Sequence, residues 1–328
     1  MKQTNARSRL IAAALICLAA MWAPGVSAQA QDYPSRTVKI IVPFPPGGPN
    51  DLLARLLGQE LSKAWSQPVI IENKPGGGTI IGTELASKAP PDGYTLLMLS
   101  PSHSVNPSLK KSLPYDLLRD FIPVIHIAES PNVLVVAPGF DVGSVAELIE
   151  RARSQPGRIA YGSGGVGTAT HLGGEMLSVL GNVKMIHVPY KGDAPAMTDL
   201  LGGQISWMFG TILSTLPNVK AGKVKAIAIS GKNRSPALPD VPPVADTLPG
   251  FDATSWYGVA VPAGTPREIV MKLNAELNRI ATSGAVKDRL LNEGAVVVGG
   301  SPEQFTTYLR ETTARWARVI RDAGIKVE

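Results

Sequence analysis

From Thr37 onward the chain alternates short β-branched runs with longer segments of helical spacing. Thr37 to Pro43 is a continuous apolar run of strand length. Phe44 to Asn50 carries Pro and Gly and reads as a loop. In Asp51 to Trp65, Leu52, Leu53, Leu56, Leu57, Leu61 and Trp65 recur at the spacing of a helix face. A strand follows over Pro68 to Glu72, a helix over Thr79 to Ala89 and a strand over Tyr94 to Leu99.

The alternation then restarts. Strands are predicted at Val133–Ala137, Arg158–Tyr161, Lys184–Pro189, Ile205–Phe209 and Val224–Ser230. Helices are predicted at Val145–Arg153, Thr168–Leu180, Pro195–Leu201 and Leu213–Ala221. The proline-heavy stretch Ser235 to Gly250 is a connector. A strand at Trp256–Val261 and helices at Pro266–Ala281 and Pro302–Ala323 close the chain. Strand–helix alternation predicts α/β architecture: parallel sheets with helices on both faces, in two units, with the C-terminal helices free to return to the first.

Composition adds three constraints. Gly and Pro supply 33 and 28 of the 328 residues, so the loops are many and sharp. The single Cys excludes an internal disulfide, a Cys-based zinc site and an iron–sulfur centre. The N-terminus has the three-part layout of a secretory leader: Lys2, Arg7 and Arg9, an apolar run from Leu10 to Trp22, then small residues ending at Ala28 or Ala30. The run is about 13 residues, short of the ~20 needed to cross a bilayer. Three of the 32 basic residues belong to this leader, so the exported chain carries 29 bases against 26 acids, or +3. No basic tract of five residues occurs, and nucleic acid is not an expected partner.

Candidate chemistry lies in two glycine loops. One is Pro46-Gly47-Gly48-Pro49-Asn50; the other is Gly162 to Thr168, through Ser163, Gly164, Gly165, Val166 and Gly167. Each follows a strand and opens a helix. Gly permits close backbone approach, and a helix start offers unpaired N–H groups and partial positive charge, so each junction is an anion site built from backbone. Gly162, Gly164 and Gly167 also match G-x-G-x-x-G, but no acid follows at the end of the next strand, as a dinucleotide site requires. Gly77 to Thr83 resembles a phosphate loop without its lysine. No G-x-S-x-G, H-E-x-x-H or metal-spaced cluster is present, so no catalytic residue, metal or cofactor is expected. A secreted hydrolase using Ser102 or Ser163 with a histidine is the alternative, although no acid is placed to orient the base. His171, in the first turn after the second loop, faces back towards it; His103 follows a strand end, where an open α/β sheet binds ligands.

Several segments together resemble the Bug-type substrate-binding receptors of tripartite tricarboxylate transporters. They are YPSRTVKIIVPFPPGG at 33–48, VIIENKPGGG at 69–78, APPDGYTLLM at 89–98, YGSGGVGTATH at 161–171, HVPYKGDAPAMTDLLGGQI at 187–205, RSPALPDVPPVAD at 234–246 and PAGTP at 262–266. The resemblance implies a two-lobed periplasmic-binding-protein fold of the type II flytrap class. After a signal peptide at 1–30, lobe 1 would be 31–132 plus 253–328, and lobe 2 would be 133–252. It implies a monomeric, non-enzymatic periplasmic receptor that hands a small carboxylate to the membrane subunits of a transporter; a sensor acting without a transporter is a further alternative. The implied ligand-binding residues are Phe44, Pro46, Gly47, Gly48 and Asn50 in one loop, and Ser163, Gly164, Gly165, Val166, Gly167, Thr168 and His171 in the other. Ser100, Ser102 and His103 would face the distal end of the ligand, with Tyr190, Lys191 and Gly210 bordering the cleft. Two departures from the family pattern stand out. Gly210 follows Met208-Phe209 where many relatives have Asp, which removes a partner for a ligand ammonium; Pro101 stiffens the distal loop.

Overall fold

The β-branched runs pair into two separate sheets. In a computed structural model, which describes residues 33–292, 294–322 and 325, a short leading segment ends at Ser35 and one body runs from Arg36 onward. The proposed leader at 1–30 lies outside the described residues.

The first sheet contains β1 (Val38–Val42), β2 (Val69–Asn73), β3 (Thr95–Leu99), β4 (Phe121–Ser130), β10 (Ser255–Pro262) and β11 (Val296–Gly299), in the order β11-β4-β10-β3-β1-β2. The second contains β5 (Asn132–Val136), β6 (Ala160–Ser163), β7 (Ile186–Pro189), β8 (Trp207–Thr211) and β9 (Lys225–Ile229), in the order β7-β6-β8-β5-β9. β1, β2 and β3 are mutually parallel, as are β6, β7 and β8, while β10 and β5 run antiparallel to their neighbours. The chain passes from the first sheet to the second at Pro131 and returns after β9, so the C-terminal portion does rejoin the first sheet through β10 and β11.

Helices follow each parallel strand. They are α1 (Pro49–Trp65), α2 (Ile80–Ser87) and α3 (Pro101–Leu109) in the first half. The second half adds α4 (Val145–Ser154), α5 (Ala169–Leu180), α6 (Asp193–Leu201) and α7 (Ile212–Lys220). The chain then runs through α8 (Arg267–Thr282), α9 (Gly284–Asn292) and α10 (Pro302–Asp322). The leucine stripe of α1 behaves as its spacing predicts: Leu53, Leu57 and Leu61 are buried and Leu52 faces out. The C-terminal helix serves both cores. Phe305 and Leu309 pack with Trp256 and Tyr115 on the first sheet, whereas Trp316 and Ile320 join the second-sheet cluster around Trp207 and Phe209.

The sheets are mixed rather than parallel, α9 and β11 have no counterpart in the sequence pattern, and two further elements depart from it. Ser100 to Ser104 reads as loop, yet α3 begins at Pro101. Ser100 and His103 form a reciprocal capping box there, and Pro101 occupies the first turn, where a missing N–H costs nothing. Strand β4 has no counterpart in the reading, because Pro123 and His126 interrupt its apolar run. The structure accommodates Pro123 beside a register shift against β10, where Val259 faces Ile125 and Ala260 faces Pro123.

Candidate functional site

A cavity of about 190 Å³ lies where five helices begin. Gly48 and Asn50 bring the start of α1, Ser100 and Ser102 that of α3, and Thr168 and Thr170 that of α5. Asp193 and Ala194 open α6, and Thr211 and Ser214 open α7. All five follow the carboxyl ends of parallel strands, the edge at which α/β sheets bind ligands. Each start presents unpaired N–H groups and roughly half a unit of positive charge.

Two of the five are closed by one acid of the protein. Asp193 Oδ2 accepts the Thr211 N–H at 2.9 Å, the Thr211 hydroxyl at 2.7 Å and the Ser214 hydroxyl at 3.0 Å. The same acid stands in the first turn of its own helix, α6. Asp193 therefore compensates α6 and α7; α1 carries Asp51 in its first turn, engaged by Arg55, Asn73 and the Gly47 N–H, and the starts of α3 and α5 have no first-turn acid. Among the described residues, the amides of Gly48 and Asn50 in α1, Ser102 in α3, and Ala169 and Thr170 in α5 donate to no protein acceptor.

The two glycine loops differ in which amides they leave free. Several of their amides are spent in holding shape. Gly47, in the left-handed region at φ 84°, donates to Asp51 Oδ2 at 2.9 Å. Burial would raise the Asp51 pKa, but hydrogen bonds from Arg55, the Gly47 N–H and Asn73 outweigh it and hold the carboxyl below the usual range. In the second loop Gly164 donates to Thr170 Oγ1 at 3.0 Å, Gly165 to Ser163 Oγ at 3.2 Å, and Gly167 to His171 Nδ1 at 3.2 Å. The free donors are thus Gly48 and Asn50 in the first loop, and the helix starts after Ser100 and after the second loop. The glycines shape the approach to them.

Two orphaned side chains complete the lining. Tyr257 is 1% exposed, and its hydroxyl has no partner at hydrogen-bonding geometry. Asn50 is 5% exposed, and its Oδ1 is likewise unpaired. Buried polar groups are ordinarily satisfied, and of the unpaired side chains among the described residues these two belong to residues lining the cavity, where a ligand can reach them.

Ten of the residues singled out from the sequence line this cavity: Phe44, Pro46, Gly47, Gly48, Asn50, Ser100, Ser102, Gly164, Thr168 and Lys191. Eight do not. His103 is fully buried, with Nδ1 against Ser100 and Nε2 3.1 Å from Thr83 Oγ1, so it caps α3. Ser163 is fully buried and sits 2.7 Å from His187 Nε2. That is the Ser–His pair a hydrolase would need, but it lies off the cavity and braces the loop through Gly165. Val166 packs against the second-sheet core, and a Cβ at Gly167 would stand 3.2 Å from Leu109 of α3, so this part of the loop faces protein. Gly165 turns its face to the Tyr190 carbonyl, 3.1 Å from its Cβ position. His171 is buried and takes the Gly167 N–H. The Tyr190 hydroxyl donates to Asp199 Oδ2 at 2.7 Å. Gly210 is buried in β8 opposite Val133.

The reading missed Thr170, Asp193, Thr211, Ser214, Ser255 and Tyr257, which also line the cavity. Gly192-Asp193 was legible as a third strand–glycine–helix junction, with Gly192 at φ 108°. Ser255 and Tyr257 lie within strand β10 and carry no local signal. Beside Gly210, an acid reaches the end of β8 from α6: Asp193, bonded one residue further on, at Thr211.

Comparison with known proteins agrees with this architecture. Residues 53–325 match the model of the tripartite tricarboxylate transporter family receptor. The chain is 36% identical over 302 residues to Protein BugT of Bordetella pertussis, covering 91% of this chain and 93% of that protein. It is similar in structure to an R. palustris protein solved with adipate (TM-score 0.87, 36% identity, 90% of this chain and 99% of that one). It is also similar to MatC from Rhodopseudomonas palustris with bound malate (TM-score 0.83, 34% identity, 88% and 100%). An alkanesulfonate-binding protein from Xanthomonas axonopodis, at 11% identity and a TM-score of 0.58, shares the fold alone. Two sheets flanked by helices around a cleft, a family match over most of the length and carboxylate-bound relatives agree: the chain belongs to the tripartite tricarboxylate transporter receptor family.

Proposed function

We propose that this protein is a periplasmic receptor that captures a small carboxylate between its two sheets and delivers it to a tripartite tricarboxylate-type membrane transporter. The carrying observation is the set of three helix starts, two from the first sheet and one from the second, whose amides have no protein acceptor and meet at one cavity. A carboxylate held there accepts from Gly48 and Asn50 on one side and from Ala169 and Thr170 on the other. Ser102 and Lys191 supply further donors. Hydrogen bonds to a charged group contribute roughly 1.5–3 kcal/mol each, so four to six of them, less the cost of ordering, reach the ~8 kcal/mol of a micromolar complex. Delivery to a transporter and export through a cleaved leader rest on family membership and on the N-terminal sequence. The receptor consists of a signal peptide at 1–30 and two lobes, 31–132 with 253–328 and 133–252.

A thermal-shift screen of small carboxylates on the exported form, followed by titration calorimetry, tests this. Adipate and malate, the ligands of the two relatives, are the first probes. Saturable stabilisation without product formation is expected. Turnover of any acid or ester would support the hydrolase alternative instead.

A further inference from the structure

We propose that Tyr257 and Asp193 form a subsite that reads a hydroxyl group, and that the ligand is a small hydroxycarboxylic acid. The inference rests on the receptor reading above and narrows its substrate class.

The argument begins with what each group lacks. Tyr257 lies on the cavity, almost wholly buried, with a hydroxyl that finds no acceptor. The neighbouring Ser255 hydroxyl donates elsewhere, to Asn132 Oδ1 at 2.9 Å. Burial, with the Asp193 charge adding to it, pushes the phenol pKa up against a smaller opposing effect of the nearby Ser255 hydroxyl, which does not reach hydrogen-bond geometry, so Tyr257 stays protonated and can act as a donor. A buried donor left unpaired keeps an unrecovered desolvation cost, which a ligand oxygen would remove.

Asp193 also lines the cavity. Its Oδ2 takes three donors, while its Oδ1, facing Gly164, accepts none among the described residues. The pair therefore offers one unused donor and one unused acceptor. A hydroxyl satisfies both, accepting from Tyr257 and donating to Asp193. A second carboxylate satisfies Tyr257 but meets the Asp193 charge. An ammonium satisfies Asp193 and leaves the Tyr257 proton without an acceptor. An alkyl chain satisfies neither.

Titration calorimetry with a matched four-carbon series separates these cases: butyrate, the three hydroxybutyrate isomers, 4-aminobutyrate and succinate. The best hydroxybutyrate is expected to bind at least tenfold more tightly than butyrate. Tyr257→Phe should reduce that ratio about tenfold. Asp193→Asn should reduce it as well, and should raise the affinity for succinate relative to butyrate. Melting of the ligand-free Tyr257→Phe protein should not fall, because the hydroxyl has no protein partner to lose. The inference is overturned if no hydroxy isomer exceeds butyrate, or if Tyr257→Phe keeps the wild-type ratio whatever its melting temperature. If no acid in the series and neither adipate nor malate binds, it is the receptor reading itself that fails.

Discussion

Asp193 accepts both the backbone N–H and the hydroxyl of Thr211, at 2.9 and 2.7 Å, so an acid in the first turn of one helix caps the start of the next. This contact decides where an incoming anion goes. With α6 and α7 compensated from within, the positive ends without a first-turn acid are those of α3 and α5; they share the cavity with the start of α1, whose Asp51 is held by Arg55 and Asn73. Asp193→Ala should leave the Thr211 amide and two hydroxyls without their acceptor. Urea denaturation is expected to show a loss of about 1–3 kcal/mol.

The two glycine loops should respond to substitution for different reasons. A Cβ at Gly164 would stand 2.7 Å from Asp193 Oδ1, so Gly164→Val displaces Asp193 and crowds the cavity. Gly47 has open space around it, and Gly47→Val acts through its positive φ, a strain of about 1–2 kcal/mol. Calorimetry with a bound acid should show both variants weakened, Gly164→Val by at least tenfold. Unchanged affinity in both would remove these loops from the site.

Restoring the acid that many relatives carry at 210 should harm this chain. A Cβ on Gly210 would lie 2.2 Å from Thr215 Oγ1, and Thr215 is fully buried. Gly210→Asp is expected to cost at least about 2 kcal/mol in thermal or urea unfolding, from overpacking and burial of a second carboxylate near Asp193. A variant as stable as the parent would show that β8 tolerates both acids.

Stability should fall in mild acid. Burial lowers the pKa of His103 and His126 to about 4; at His187 burial and the adjacent His171 do the same. These rings stay neutral in the folded protein but protonate near pH 6.5 once unfolded. Their contribution is complete above pH 6.5 and is lost as pH falls towards 4. His103 alone should account for about 2 kcal/mol at pH 5. Melting curves from pH 7.5 to 5 check the direction, and His103→Gln should flatten them. A melting temperature constant over this range would contradict the assignment.

Export makes a separate prediction. Intact mass of the protein recovered from the periplasm should correspond to a chain beginning near Gln29 or Gln31. A retained leader or a lipid on Cys17 would refute it.

Local sequence determined the elements and the ends at which a ligand binds. Apolar runs such as Thr37–Pro43 and leucine spacing such as Leu53, Leu57 and Leu61 fix strand and helix through periodicities of two and 3.6, which neighbouring residues alone decide. Gly47 and Gly164 likewise marked the strand–helix junctions, since sharp turns select glycine locally.

Tertiary structure decided which groups at those junctions remain available. Whether Gly47 N–H is free depends on Asp51, whether Ser163 is exposed depends on His187, and whether α7 is open depends on Asp193, 18 residues before Thr211. Tyr257 reaches the cavity only because β10 returns from the far end of the chain to pair with β3 and β4. A hydrogen bond is settled by the partner that arrives, and arrival is a property of the assembled sheets rather than of any stretch of sequence.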